Sequence, residues 1–235
     1  MHLCPKDVNY VRLSEISKHA RNAVIVSEDG TFYSHHGFDW DELQKSMEKD
    51  LDQGGFARGG STLTQQLAKN VYLSSEKSVF RKLREAMITV QLEKTLSKDE
   101  ILEKYLNVVE FGDHLYGIKP ASAYYFHKSP SELTPAEGAF LAFLLPNPKK
   151  YSQSFRQKKL TKFAGHQVRV IVDRLYSFKK ITELEHIGAV TEVDQLFGPD
   201  LQGPISEPPD ERTQLTTPDG APVYPAGLEP VTTDD

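Results

Sequence analysis

The sequence predicts a mainly helical domain, over residues 1–197, followed by a disordered acidic tail over 198–235. Three observations predict it. Apolar residues recur three and four apart in segment after segment from Leu13 to Val190. Helix start signals stand in front of those segments. From Gly198 the text changes to GPDLQGPISEPPDERTQLTTPDGAPVYPAGLEP, where proline and acid are frequent and apolar periodicity stops.

The elements follow in order. VRLSEISKHARNAVIV carries a stripe of Leu13, Ile16, Ala20, Ala23 and Val24, with Ser14 as cap and an end near Gly30. Asp39 caps a second helix with Trp40, Leu43, Met47 and Leu51 on one side. DQGGFARGG, residues 52–60, reads as a mobile loop. Ser61 or Thr62 caps a third helix through about Tyr72. RKLREAMITVQLEKTL is a long helix, and Ser97 with Glu100 forms a capping box for KDEILEKYLN. VVEFGDHLYG is irregular and suits a short hairpin, and Pro120 starts a helix through about Phe126. Thr134, Pro135 and Glu137 open AEGAFLAFLL, which Pro146 stops. A basic helix over 155–178 and a short one over 182–190 complete the domain.

Composition narrows the function classes. The net charge of −5 hides an asymmetry: 27 bases against 25 acids up to residue 197, then one base against eight acids. A mildly basic body suits an anionic ligand. No basic-aromatic stripe or nucleic-acid motif is present, so nucleic acid is not an expected partner. The single cysteine, Cys4, excludes an internal disulfide. No apolar run is long enough to span a bilayer, and MHLCPKD lacks the apolar core of a signal peptide.

Three stretches carry candidate chemistry. In SEDGTFYSHHGFDW, Glu28 and Asp29 fall at a helix C-terminus, where the dipole disfavours a carboxylate and tends to raise its pKa. A raised carboxyl suits a general base, and a solvated helix end is the alternative. His35 and His36 lack a third ligand at metal-binding spacing. In GGSTLTQQLAKN, residues 59–70, Thr62, Gln65, Gln66, Lys69 and Asn70 share a polar side while Leu63, Leu67 and Val71 face the core. That row fits sugar and phosphate, or a solvent face. In RKLRE, residues 81–85, Glu85 stands above the stripe Ile88, Leu92 and Leu96, with Leu83, Met87 and Val90 on another side. It reads as a cleft wall or as a surface ion pair with Arg81.

Together these stretches resemble the peptidoglycan glycosyltransferases, glycosyltransferase family 51. Glu28, Asp29, Phe32, His35 and Gly37 match E-D-x-x-F-x-x-H-x-G; residues 59–70 match G-G-S-T-x-T-Q-Q-L-x-K-N; Arg81, Lys82 and Glu85 match R-K-x-x-E. ILEKYLN with Gly112 and Gly117, and EGAFLAFLLPNP, supply two more motifs, so the resemblance covers about residues 8–178 and is most like the monofunctional branch. It implies a lysozyme-like fold with a larger lobe and a smaller membrane-facing one. It implies polymerisation of lipid II into β-1,4-linked glycan strands, with release of undecaprenyl pyrophosphate. Lipid II, the growing strand, the membrane surface and cell-wall synthesis proteins are the implied partners.

The roles implied are a base at Glu28 and pyrophosphate stabilisation by Lys69, Arg81, Lys82 and Arg84. Glu85 is the second catalytic residue implied, stabilising or orienting that end directly or through a metal ion, and Asp29, Phe32, His35, Ser61, Thr62, Gln65, Gln66 and Asn70 bind substrate. A divalent cation, Mg2+ or Mn2+, is expected with the pyrophosphate, without a readable protein ligand set; no organic cofactor is expected. The implied location is the outer, periplasmic face of the cytoplasmic membrane. The family's N-terminal anchor is not in this sequence, so an upstream segment or a membrane partner is expected. A lysozyme-like glycan-cleaving enzyme and a non-catalytic lipid II-binding protein are the alternatives.

Overall fold

The computed structural model describes residues 6–41, 43–44, 61–73, 78–156 and 161–197. The expectations for the 52–60 loop, for Met47 and Leu51 and for the 198–235 tail lie outside these residues. The described chain is mainly helical, as predicted. Its helices are α1 (Lys18–Glu28), α2 (Leu63–Tyr72), α3 (Val79–Thr95), α4 (Lys98–Val108), α5 (Ile118–Phe126), α6 (Pro135–Leu144), α7 (Pro148–Arg156), α8 (Lys162–Ser177) and α9 (Glu183–Phe197). Strands β1 (Glu110–Gly112) and β2 (Leu115–Tyr116) pair antiparallel, with an irregular register, between α4 and α5.

α6 is the centre. Every residue from Ala136 to Leu144 is buried, so this helix has no polar face. α1, α8 and α9 pack around it. In the α1–α6 contact Gly138 meets Ala20: a Cβ on Gly138 would lie 2.8 Å from the Ala20 Cα. A second group, α2 against α3 and α4, carries the other site residues. No helix among the described residues is long and apolar enough to cross a membrane.

Local capping explains most boundaries. Thr62 and Gln65, Ser97 and Glu100, and Thr134 and Glu137 form reciprocal capping boxes at the starts of α2, α4 and α6. Four expectations shift. The first segment splits into a 3-10 turn, Leu13–Glu15, and α1 capped by Ser17 rather than Ser14. Ser17 wins because its N–H donates to Pro130 O and its hydroxyl to Leu133 O, bonds that hold Ile16 extended. α5 begins at Ile118 behind Gly117, and Pro120 sits in the first turn, where its missing N–H had no helical partner. The single basic helix is two, α7 and α8, the second capped by Thr161. α9 starts on a Thr182–Glu185 cap and runs past residue 190 because Val193 continues the buried side begun at Ala189.

Candidate active site

α1 ends by delivering Glu28 and Asp29 to one corner, and their environments differ. Asp29 is buried and its oxygens are committed. They accept from the Leu63 N–H at the start of α2, 2.9 Å away, and face His35 Nε2 at 2.9 and 3.1 Å. A carboxylate at a helix N-terminus meets its free N–H groups and positive pole. Thr62 Oγ1 donates to Gly37 O at 2.7 Å, a second tie between the two stretches. Phe32 is fully buried, edge-on to His35, with Lys98 Nζ 4.5 Å over its ring. His36 is exposed and takes no part.

Glu28 is only partly buried, and among the described residues its Oε2 accepts a hydrogen bond from Gln66 Nε2 at 3.0 Å. Gln66 Oε1 in turn accepts from the hydroxyl of Tyr105, a fully buried residue of α4, at 2.9 Å. Burial raises the Glu28 pKa most, the Gln66 bond pulls it back, and the Asp29 charge raises it further. The direction agrees with the sequence argument, but its leading cause is desolvation.

The polar side of α2 divides. Thr62 and Gln65 are buried, and their side chains are bonded to each other's backbone N–H groups in the capping box. Gln66 is held by Glu28 and Tyr105. Ser61 and Lys69 are exposed and Asn70 is partly so, which leaves those three open to a ligand.

On α3, Glu85 is 3% exposed, so its ion pair is not a surface pair. It pairs with Arg81, Nη1 to Oε2 at 3.6 Å, and with Lys82. One buried carboxylate thus gathers two cations whose outer faces reach solvent, Lys82 more than Arg81, while Arg84 is exposed. The Glu28 corner touches this face one turn on. Thr89 Oγ1 donates to Glu85 O, and a Cβ on Gly37, which has φ +87°, would lie 2.9 Å from Thr89 Cγ2. Glu93 completes the seam, accepting from Thr64 Oγ1 and from Lys98 Nζ at 2.8 Å. On the other side of α3, Leu83, Met87 and Val90 are exposed, as is Phe80.

Among the described residues no three His, Cys, Asp or Glu side chains converge as a metal cage. Asp29 is spent on Leu63 and His35, and Glu85 on two cations, so these carboxylates do not fit a protein-held metal. The sequence reading missed Tyr105, Glu93 and Lys98. A tyrosine among the aliphatic residues of ILEKYLN was the available signal, because a buried phenol needs a hydrogen-bond partner.

A family model described as transglycosylase matches residues 3–175. Three curated relatives are each called "biosynthetic peptidoglycan transglycosylase". That of Acinetobacter baylyi is 51% identical over 140 residues, 60% of this chain and 62% of the relative. That of Aromatoleum aromaticum is 46% identical over 168 residues, 72% and 71% of the two chains. That of an Azoarcus species is 49% identical over 161 residues, 68% of each.

Proposed function

Because the chain belongs to the transglycosylase family, enzymes of peptidoglycan biosynthesis, we propose that it is an inverting glycosyltransferase that polymerises lipid II. Glu28 takes the proton from the acceptor sugar's 4-hydroxyl. The freed oxygen attacks the donor's anomeric carbon, the bond to pyrophosphate breaks, and the α linkage becomes β-1,4. Lys69, Arg81, Lys82 and Arg84 meet the charge that grows on the departing undecaprenyl pyrophosphate. Glu85 holds Arg81 and Lys82 in register rather than touching the like-charged phosphates itself. Ser61 and Asn70 are the polar groups open to sugar and phosphate. Phe32, His35, Thr62 and Gln65 act behind them as supports, a different role from the direct contact the resemblance implied.

The observation that carries the reading is the pairing of a desolvated carboxylate at Glu28, held by Gln66, with cations ordered by the buried Glu85. A base and a charge sink are both needed when pyrophosphate leaves. A glycan-cleaving enzyme has no pyrophosphate to neutralise. The exposed row of Phe80, Leu83, Met87 and Val90 supports contact with the membrane that holds the undecaprenyl chain, hence work on its outer face. Other cell-wall synthesis proteins are candidate partners there. A Mg2+ or Mn2+ ion would come with the pyrophosphate oxygens, and a chelator titration tests that need. Labelled lipid II and magnesium, followed by gel separation of products, tests the function. Growing strands support it. Unchanged lipid II, or cleavage of preformed strands, refutes it.

A further inference from the structure

We propose that Tyr105 is a positioning residue for this reaction: its buried hydroxyl fixes the Gln66 carboxamide, which holds the Glu28 carboxylate in place. The inference rests on the reading of Glu28 as the base. It begins from a three-member chain on three helices. Tyr105 of α4 donates to Gln66 Oε1 at 2.9 Å, and Gln66 of α2 donates to Glu28 Oε2, at the end of α1, at 3.0 Å.

Hydrogen-bond chemistry gives the chain one direction. An ionised carboxylate only accepts, so the amide must turn its NH2 to Glu28. Its oxygen then faces Tyr105, whose hydroxyl must donate. Flipping the amide would set oxygen against carboxylate and leave the buried phenol proton without an acceptor. Tyr105 is fully buried, and Gln66 is the partner its hydroxyl has. A phenylalanine would fill the same space, so packing alone does not call for the oxygen. Burial, then the charges of Glu28 and Asp29, push the Tyr105 pKa far up, so it stays a donor at any working pH. Gln66 has one further, longer bond, Nε2 to Ser61 O at 3.4 Å, at the exposed edge. That bond does not fix the amide's orientation from within.

The other charged groups packed on α1 have partners elsewhere. Glu137 of α6 pairs with Lys128. On α8, Arg169 pairs with Asp194, Asp173 with His186, and Arg174 Nη1 reaches the Val26 carbonyl at 3.5 Å. His35 faces Asp29, and Lys69 of α2 is exposed. Among the described residues the Asp29 charge acts on Glu28, and the Gln66 bond opposes it.

Loosening the amide therefore favours the protonated Glu28 and removes the base from acid solution. The test uses the full chain as wild type, Tyr105→Phe, Gln66→Leu, their double variant and Glu28→Gln. Turnover of saturating labelled lipid II is followed across pH. Carbon-13 carboxyl NMR titrates Glu28 directly, its signal identified by its loss in Glu28→Gln. In Tyr105→Phe the acid limb and the NMR midpoint should rise together by about 0.5–1 pH unit. Turnover should be about three- to tenfold lower below the limb and near wild type above it. In the Gln66→Leu background the second change should add nothing further. An unmoved midpoint, or a uniform loss at every pH, overturns the proposal and leaves Tyr105 as core packing. If Tyr105→Phe does not fold, Gln66→Leu decides, and a Glu28 midpoint unmoved by it overturns the chain of bonds. A Glu28→Gln enzyme with near-normal turnover removes Glu28 as base. The NMR midpoints still say whether Tyr105 governs its carboxylate.

Discussion

The two carboxylates at the heart of the site, Glu28 and Glu85, are opposites in how they are used. Glu85 is buried and spent on two cations that it orders. Glu28 is less buried, bonded among the described residues to Gln66, and raised in pKa. A carboxylate held by two cations is occupied in ordering them. One that is desolvated gains affinity for a proton. Under the proposed function, the same functional group serves as a scaffold at one position and as a base at the other.

The sharpest way to break this contrast is Glu28→Gln. Turnover should fall by about a hundredfold to ten-thousandfold, because the acceptor hydroxyl loses its base. Stability should move the other way. The folded-state pKa of Glu28 is raised above the ordinary 4.5, so the ionised form costs stability as pH rises through and above that value. Glu28→Gln should melt higher than wild type at neutral pH, and the gain should vanish in acid. Wild-type turnover should fall as pH drops through the raised pKa. Lower melting of the variant at neutral pH, or a flat acid limb, would contradict the contrast.

Next come the cations. Lys69→Ala and Arg81→Ala should each cost about 2–4 kcal/mol of transition-state stabilisation at saturating lipid II, with melting little changed in Lys69→Ala and lowered in Arg81→Ala, which leaves the buried Glu85 one cation short. Wild-type turnover in either would remove that residue from the site. Asp29→Asn should be milder for rate and visible in stability. It weakens charge-assisted bonds to the Leu63 N–H and His35, worth about 1–3 kcal/mol, and a thermal melt reads the loss. The smallest effect expected is that of salt. Raising ionic strength from about 0.1 to 1 M shortens screening from about 10 to 3 Å. That should raise KM a few-fold through the exposed cations and leave the acid limb of Glu28 in place. A limb that moves with salt would mean that Glu28 is governed by solvent-exposed charge.

Legibility in the sequence followed the range of the bonds. Thr62, Ser97 and Thr134 were readable as caps because each partner lies three residues on. Ser17 was not, because it is chosen by Pro130 and Leu133, more than a hundred residues away. Two local signals were present and passed over: Asn147 before Pro148 at the start of α7, and Thr182 with Glu185 at the start of α9. Glu28 and Glu85 were singled out by spacing and motif. Their separation into base and scaffold was not visible, because it depends on Gln66 and Tyr105 for one and on burial for the other. Thr62 and Gln65 show the same limit from the other side. Their side-chain chemistry suited a ligand, but the helix start claims it.

Gly138 gives the fold a fulcrum. Ala20 rests on it almost backbone to backbone, and Glu28 stands eight residues further along α1. At about 1.5 Å per residue that is a lever arm of about 12 Å. A wedge that tilted the helix by about 5° would swing its tip by about 1 Å, a misplacement that can cost an enzyme about a hundredfold. The reach of the reactive carboxylate is therefore gauged by the smallest side chains in the interior. Re-engineering of that interior has to hold the Ala20–Gly138 spacing before it improves anything else.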